Sequence, residues 1–545
     1  MKKLGKSRLY SFTILGMLTM FLISSGIYVS CPTNQFLQKC ENSPITLHTT
    51  AENMVWNTTW GGANSDWGYG VAVDANGSVY CDGYTYSFGV GGDFALVKVA
   101  PNGTLLWNTT WGGLSEDIGY DMTIDASGAV YCVGYTVSFG EGFPDFALVK
   151  FAPNGTLLWN ATWGGANWDI CEKLAVDANG NIYCVGYTKS FGMGSWDFAL
   201  VKFAPNGTLL WNTTWGGADS DCGYGVALDA SGFIYCVGST NTFGAGEYDL
   251  ALVKFAPNGT RLWNTTWGGA DSEVGKSIVK DASGAIYCVG MTNSFGANGD
   301  FALVKFAPNG TQLWNTTWGG ADQDQGFYVA VDASGAIYCV GMTNSFGANG
   351  DFALVKFAPT GTLLWNTTWG GADSDWGWGV TVDASGAIYC VGITNSFGAN
   401  GDFALVKFIR LEAPILDTIS PAIDADGNIT LNWDDVLGAE KYYIYRELSP
   451  ITSIAGLQPK YEVLESQYND TLTIETTYYY VIVAAAGSIN SSISNCENVT
   501  FSISGGIPGF EGIYLLSALV ALVYLAQRRN CCRSTPYSLS SFFHP

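Results

Sequence analysis

Seven acidic residues occupy one fixed place in a recurring pattern: Asp66, Asp117, Asp169, Asp221, Glu273, Asp324 and Asp375, each a few residues after a Trp-Gly-Gly. Carboxylates gathered into a ring concentrate cations, and calcium in particular favours such oxygens. The same acids can instead cap turns by accepting backbone N–H groups. Trp67 and Trp376 adjoin the acids of the first and last copies. Two indoles beside a polar cleft can stack on the face of a sugar, or simply pack on the adjacent loop. These nine residues are the candidate ligand-binding set, with calcium as the one cofactor they suggest.

Catalytic chemistry has fewer candidates. The histidines are His48 and His544, both outside the recurring region, so it holds no histidine-based triad or histidine metal site. Arg261 is the only arginine among the copies, which excludes an arginine cluster of the sialidase kind. Paired carboxylates can run glycoside hydrolysis, but these acids recur with every copy, and a residue that every copy needs is usually structural. Repeated tryptophans also suit a quinoprotein, yet no second motif is present to hold such a cofactor. The expectation is a protein that is not an enzyme.

The elements that must position these residues follow from the repeat. W-N-x-T-W-G-G starts at Trp56, Trp107, Trp159, Trp211, Trp263, Trp314 and Trp365, at intervals of 51 or 52 residues. A period of this length points to a solenoid, a propeller or an array. Within one module, Tyr69 to Asp74 reads as a strand of small residues suited to a crowded inner position. Asp74-Ala75-Asn76-Gly77 is a hairpin turn whose Asn-Gly supplies positive φ. Val79-Tyr80-Cys81 opens a second strand, and Phe94 to Val99 forms a third that is apolar on both faces, as a sheet sandwiched between two others requires. Pro101-Asn102-Gly103 then turns into an outer strand from Leu105 to Trp111. Trp107 and Trp111 lie four apart, on one face of that strand, and should pack on the next module.

Ring closure separates a propeller from an open array. The first tryptophan segment, Trp56 to Gly62, precedes any complete module, and the last module ends at Phe408 after three strands. The early segment can supply the missing outer strand, which removes the unpaired edge. The expected fold is all-β: a seven-bladed β-propeller over residues 54–408, closed by the N-terminal strand. The modules resemble the SBBP-type propeller repeats of bacterial and archaeal surface proteins through W-G-G, G-Y-G-V-A-V-D, G-x-I-Y-C-V-G and D-F-A-L-V-K-F. That resemblance covers about two-thirds of the chain and implies an extracellular fold without a defined activity.

Cysteine usage fits this geometry. Cys81, Cys132, Cys184, Cys236, Cys288, Cys339 and Cys390 are equivalent, one per module. Packed sheets lie about 10 Å apart, whereas a disulfide needs Cα atoms within roughly 7 Å, so these should be buried thiols. Cys171 and Cys222 break the pattern near the starts of adjacent inner strands and are the candidates for a bridge. Asn102, Asn154, Asn206, Asn258 and Asn309 sit in P-N-G-T turns that both make good turn chemistry and match the N-glycosylation sequon.

The chain carries a net charge of −23 and only 13% charged residues, with 69 glycines and 14% aromatics. Nucleic-acid partners need cationic phosphate contacts and are excluded on that ground. Residues 1–30 read as an export signal, with Lys2, Lys3, Lys6 and Arg8 before an apolar run. Residues 411–504 change character. A Trp433 strand, K-Y-Y-I-Y-R at 441–446 and T-Y-Y-Y-V-I-V-A at 477–484 resemble a fibronectin type III module, which implies a β-sandwich spacer. Asp424-Ala425-Asp426-Gly427-Asn428 lacks the later Glu of a calcium loop and is expected to form a hairpin turn. Residues 507–527 are long enough for one transmembrane helix, and Arg528-Arg529 would leave a short cytoplasmic tail, 528–545. Pro508-Gly509-Phe510 before this helix resembles archaeal C-terminal sorting signals. The functional expectation is a cell-surface binding or adhesion protein, single-pass anchored with the propeller outside, whose partner is an extracellular glycan or protein. The alternatives are an extracellular polysaccharide hydrolase or lyase, and a structural component of the envelope.

Overall fold

The computed structural model describes residues 53–502, apart from 348, 399, 421–422, 425 and 487–488. The export-signal and membrane-anchor segments expected from the sequence lie outside the described residues. Among those residues, no helix is long and apolar enough to cross a membrane.

Twenty-eight strands form seven four-stranded antiparallel sheets, each the blade of a propeller. Blade one is β2 (Asp66–Val73), β3 (Val79–Thr85), β4 (Asp93–Val99) and β5 (Leu105–Trp111). The same four-strand pattern recurs from β6 (Asp117–Ile124) through β25 (Leu363–Trp369), giving blades two to six. Blade seven joins β26 (Asp375–Val382), β27 (Ile388–Thr394) and β28 (Asp402–Ile409) to β1 (Asn53–Trp60) from the start of the chain.

Burial follows strand position. Every residue of β3 is buried, β4 is buried except at Lys98, and β5 is exposed or half-buried until Trp111. Alternation disappears in the two middle strands because neighbouring blades cover both faces. Adjacent blades share single cores: Tyr80, Phe94, Leu96 and Trp111 of blade one pack with Met122, Val130, Cys132 and Val149 of blade two. Trp107 reaches the same cluster, as expected. The seven equivalent cysteines are buried free thiols within these cores. At the inner hairpin, Asp74 Oδ1 accepts the N–H groups of Asn76 and Ser78, each at 2.9 Å, while Gly77 takes φ 76°.

Closure reproduces the contacts made inside the other blades. β1 pairs antiparallel with β28, in a register that sets Asn57 opposite Val406 and Trp60 opposite Phe403. Trp60 lies edge-on to Phe403 at 5.1 Å and tilted over Phe88 of blade one at 5.0 Å. Trp111 does the same to Phe94 and Phe139, at 5.2 and 5.1 Å. A segment some 350 residues away in sequence therefore occupies an ordinary outer-strand position.

Past the propeller, β29 (Ile423–Asp424), β36 (Glu497–Phe501), β34 (Thr477–Ala486), β31 (Lys441–Glu447) and β32 (Tyr461–Val463) form one sheet. β35 (Ile489–Asn490) adds to its β34, and β30 (Asn428–Asn432) pairs with β33 (Gln467–Thr471). Trp433, Leu431, Tyr442, Tyr480 and Val499 share its core. Asp470 is buried and satisfied by Arg446 Nη1 at 2.7 Å, with the Tyr480 and Tyr461 hydroxyls at 2.7 and 2.9 Å. The 424–428 segment is not the expected hairpin. β29 and β30 belong to different sheets and do not pair with each other, and residue 425 between them lies outside the described residues.

If closure contributes as the other blade junctions do, Trp60→Ala and Trp111→Ala should each lower the unfolding free energy by about 3 kcal/mol, read from urea midpoints. An unchanged midpoint for Trp60→Ala alone would show that β1 is dispensable.

Candidate functional site

The seven repeated acids are fully buried and do not open onto the channel mouth, which corrects the expectation of an exposed ring. Each carboxylate is occupied by its own loop. Asp66 Oδ2 accepts the Gly62 N–H at 2.7 Å, and its Oδ1 takes the Thr85 hydroxyl and, at 3.3 Å, the Ser87 N–H. Asp117, Asp169, Asp221, Glu273, Asp324 and Asp375 accept the equivalent glycine N–H groups at 2.7–2.8 Å. This explains the invariant W-G-G. A Cβ on Gly61 would lie 2.8 Å from Asp66 Oδ2 and 2.3 Å from Asp402 Oδ1, so the cap demands glycine. Among the described residues, no group of three or more His, Cys, Asp or Glu is placed to hold a metal ion.

A second acid faces each cap from the start of the third strand. Asp145 and Asp300 accept N–H groups of Glu141 and Ala297 through Oδ2, at 2.7 and 3.0 Å, and leave Oδ1 buried without a partner. Burial, and the nearby Asp169 or Asp324 carboxylate, push Asp145 and Asp300 up to about 6. A proton on the orphan oxygen relieves the repulsion between the two acids.

Cys171 and Cys222 are free thiols, so the candidate bridge does not form. Cys171 stands in the column that glycine holds in the other six blades, while Cys222 stands one residue earlier, in the column of Trp67 and Ile170. Successive strand residues point to opposite faces. Cys171 is accordingly packed towards blade two, beside Tyr131 and Val133, away from blade four. Asn102, Asn154, Asn206, Asn258 and Asn309 are exposed, and each amide oxygen accepts the N–H two residues on at 3.1 Å.

The channel itself is lined by a different set. In every inner strand the ladder slips by one residue, at Tyr69, Tyr120, Glu172, Tyr224, Lys276, Phe327 and Trp378. A bulged residue has no cross-strand partner and its side chain is re-aimed. Here all seven point to the axis, where together with Lys173 they line a cavity of about 240 Å³. One side is aromatic. Phe327 stacks on Trp378 at 4.2 Å and 15°, Trp378 meets Tyr69 at 5.1 Å, and Tyr69 meets Tyr120 edge-on at 5.2 Å. The other side carries charge: Lys276 Nζ lies 4.0 Å from the Tyr224 ring centre, and Glu172 shares the cavity. Burial raises Glu172 above the usual carboxylate range, opposed by Lys276 and Lys173, and lowers Lys276 below the usual lysine range, opposed by Glu172.

A wider cleft of about 530 Å³ adjoins this cavity and shares Tyr224, Lys276, Phe327 and Trp378 with it. Its remaining walls include the amides Gln323, Gln325 and Asn344, the thioethers Met291 and Met342, and the indole of Trp376. Trp376 thus lines a cavity. Trp67 is not among the cleft residues; it packs on Tyr69 and Tyr84, with Nε1 against the Gly401 loop.

One residue further along the inner strands, Asp121, Lys173 and Tyr328 depart from the repeat and meet a fourth departure, Asp82. Asp82 replaces the valine of the six other blades (Val133, Val185, Val237, Val289, Val340, Val391). Its Oδ1 accepts the Gly70 N–H at 3.0 Å, and the Cys132 thiol is a further side-chain hydrogen-bond partner of the carboxylate. Asp121 accepts the Leu174 N–H at 3.1 Å and pairs with Lys173 at 3.4 Å, and Lys173 lies 4.2 Å from the Tyr328 ring centre. Burial, then the Asp121 charge, hold Asp82 well above the usual carboxylate range. Sequence reasoning missed the ring and this cluster. The available signal was the columns where seven otherwise matching copies disagree.

The described fold is that of a seven-bladed β-propeller with a further sheet region after it. The family model for the SBBP β-propeller repeat matches residues 164–192, the loop and inner strands of blade three. A WD repeat-containing protein of Acanthamoeba polyphaga mimivirus, itself uncharacterised, is 24% identical over 239 residues, which is 38% of this chain and 15% of the viral protein. Among solved structures, the extracellular domain of a candidate hybrid two-component system from B. thetaiotaomicron is 12% identical, with a TM-score of 0.38 over 82% of this chain and 57% of that one. A protein of unknown function from Dyadobacter fermentans is 11% identical, with a TM-score of 0.38 over 66% of this chain and 99% of its own. Likeness at this level carries no chemistry across.

Two outcomes follow from the buried acids. Asp82→Val should raise stability by about 1 kcal/mol or more, because a buried acid set against the Asp121 charge gives way to the apolar side chain the other blades carry; a lower melting temperature would contradict this. For Asp145 and Asp300 the folded pKa exceeds the unfolded value, so their protonation favours the fold. Their contribution is fully present below about pH 4 and is lost as pH rises through about 6. Melting temperature should therefore climb from pH 7.5 to pH 5, and Asp145→Asn with Asp300→Asn should flatten that climb.

Proposed function

We propose that this protein is a cell-surface glycan-binding or adhesion protein whose ligand sits in the cleft at the channel. The observation that carries this is the composition of the cleft: aromatic faces at Trp376 and Trp378 beside the amides Gln323, Gln325 and Asn344. Aromatic rings offer flat apolar surface to the C–H face of a sugar, and amides both donate and accept hydrogen bonds to hydroxyls. Its size falls in the range of small-ligand sites. In this reading residues 1–30 direct export, the region after the propeller is a fibronectin type III-like spacer, and 507–527 anchor the chain with the propeller outside. The exposed P-N-G-T turns would then carry glycans of their own.

Glu172 gives the hydrolase alternative its one supporting observation, an acid with a raised pKa inside a cavity. Glycoside hydrolysis ordinarily needs a second carboxylate across the scissile bond. Among the described residues, Glu172 is the only acid lining either cavity at the channel, and the nearby Asp82 and Asp121 are buried away from solvent. Binding without turnover is therefore the better fit.

Glycan-array screening of the full chain should give saccharide binding without release of reducing ends. Trp376→Ala should weaken that binding about tenfold or more, as loss of a central aromatic contact does. Reducing-sugar release that disappears in Glu172→Gln would favour the hydrolase, and absence of both binding and turnover would leave a structural role.

A further inference from the structure

Resting on the glycan-binding reading of the cleft, we propose that the site selects saccharides bearing a carboxylate, and that Lys276 is the residue that takes the carboxylate. Among the described residues, Lys276 is the only charged one lining the 530 Å³ cleft. It stands at the bulge of β18 (Glu273–Lys280), where the backbone slip aims it at the axis. Among the described residues no carboxylate comes within ion-pair distance of its ammonium, and its near contact is the Tyr224 ring at 4.0 Å. Most other lysines of the blades lie elsewhere: the third-strand lysines sit over the tyrosine of the neighbouring strand, and Lys173 is paired with Asp121. Glu172, the nearest acid in influence, lines the deeper cavity but not the cleft.

An ammonium held partly out of water with no carboxylate in direct contact costs stability. Five of the six other ring positions hold a neutral aromatic residue, so the lysine is not needed to form the blade. A carboxylate on the ligand adds a counter-charge from the cleft side, where Glu172, which influences Lys276 from the deeper cavity, does not reach. The chemistry also narrows the anion. The cleft offers one cation among neutral amides and rings, which matches a single carboxylate beside ring hydroxyls, as in a uronic or sialic acid. Densely sulfated chains require clustered cations, and the repeats contain one arginine, Arg261, on an outer strand.

The test starts from the full chain on an array of neutral, uronate-bearing and sialate-bearing glycans. The strongest acidic hit is then compared by calorimetry with its methyl ester. Binding at least tenfold tighter for the free acid is expected. Lys276→Met should bring acid and ester to equal affinity, Lys276→Arg should keep the preference, and Trp376→Ala should weaken both ligands alike. Hits confined to neutral glycans, or equal affinity of acid and ester for the unaltered protein, would overturn the carboxylate proposal and leave glycan binding standing. No hit of any kind would overturn both. The acid-against-ester comparison needs no variant, so a misfolded Lys276→Met could not decide the outcome.

Discussion

The ladder between β1 and β28 is the contact on which everything else rests. Without it blade seven would end in an open edge, and the core that blades one and seven share would lose the cover of Trp56 and Trp60. With it, seven sheets enclose an axis, and a residue in blade six or seven can meet one in blade one or two: Trp378 touches Tyr69, and Tyr328 reaches Asp121 across the channel. The chain spends most of its repeated chemistry on holding this circle. Tryptophans seal the junctions, capped loops fix the strand entries, and one apolar thiol per blade fills the shared cores.

The capped loops explain why recurrence misleads about function. An acid present in all seven copies invites the thought of a cation ring, but each Asp66-type carboxylate is enclosed by a glycine N–H and local hydroxyls. The backbone donors of a tight loop need an acceptor wherever that loop occurs, so every blade keeps one. The same logic makes Trp67 a packing residue, although its counterpart Trp376 reaches the cleft.

Much of the fold was legible in sequence because its causes are local or periodic. The Asn-Gly and Asp-centred turns, the apolar third strand and the seven tryptophan segments predicted strands, blade count and the closing role of Trp56 to Trp60, and these are found. The site was legible only in part. Trp376 was singled out, whereas Tyr69, Glu172, Lys276 and Trp378 were not, because a strand assigned by small residues conceals a one-residue slip. That Cys171 and Cys222 face different ways follows from their adjacent columns once the copies are aligned, but which neighbouring blade covers each depends on the packing of the sheets. The 424–428 turn failed for a related reason: its residues specify a bend, but which sheet receives the next strand is decided by tertiary pairing.

The slip in each inner strand has an evolutionary corollary. Because the displaced residue takes no part in the cross-strand pairing, it can change from tyrosine to glutamate, lysine or tryptophan while both flanking pairs stay in place. Gene duplication therefore yields seven interchangeable frames, each with one position free to drift on its own. New specificities can arise by altering single codons around the axis, with the burden of folding carried entirely by the letters that stay the same.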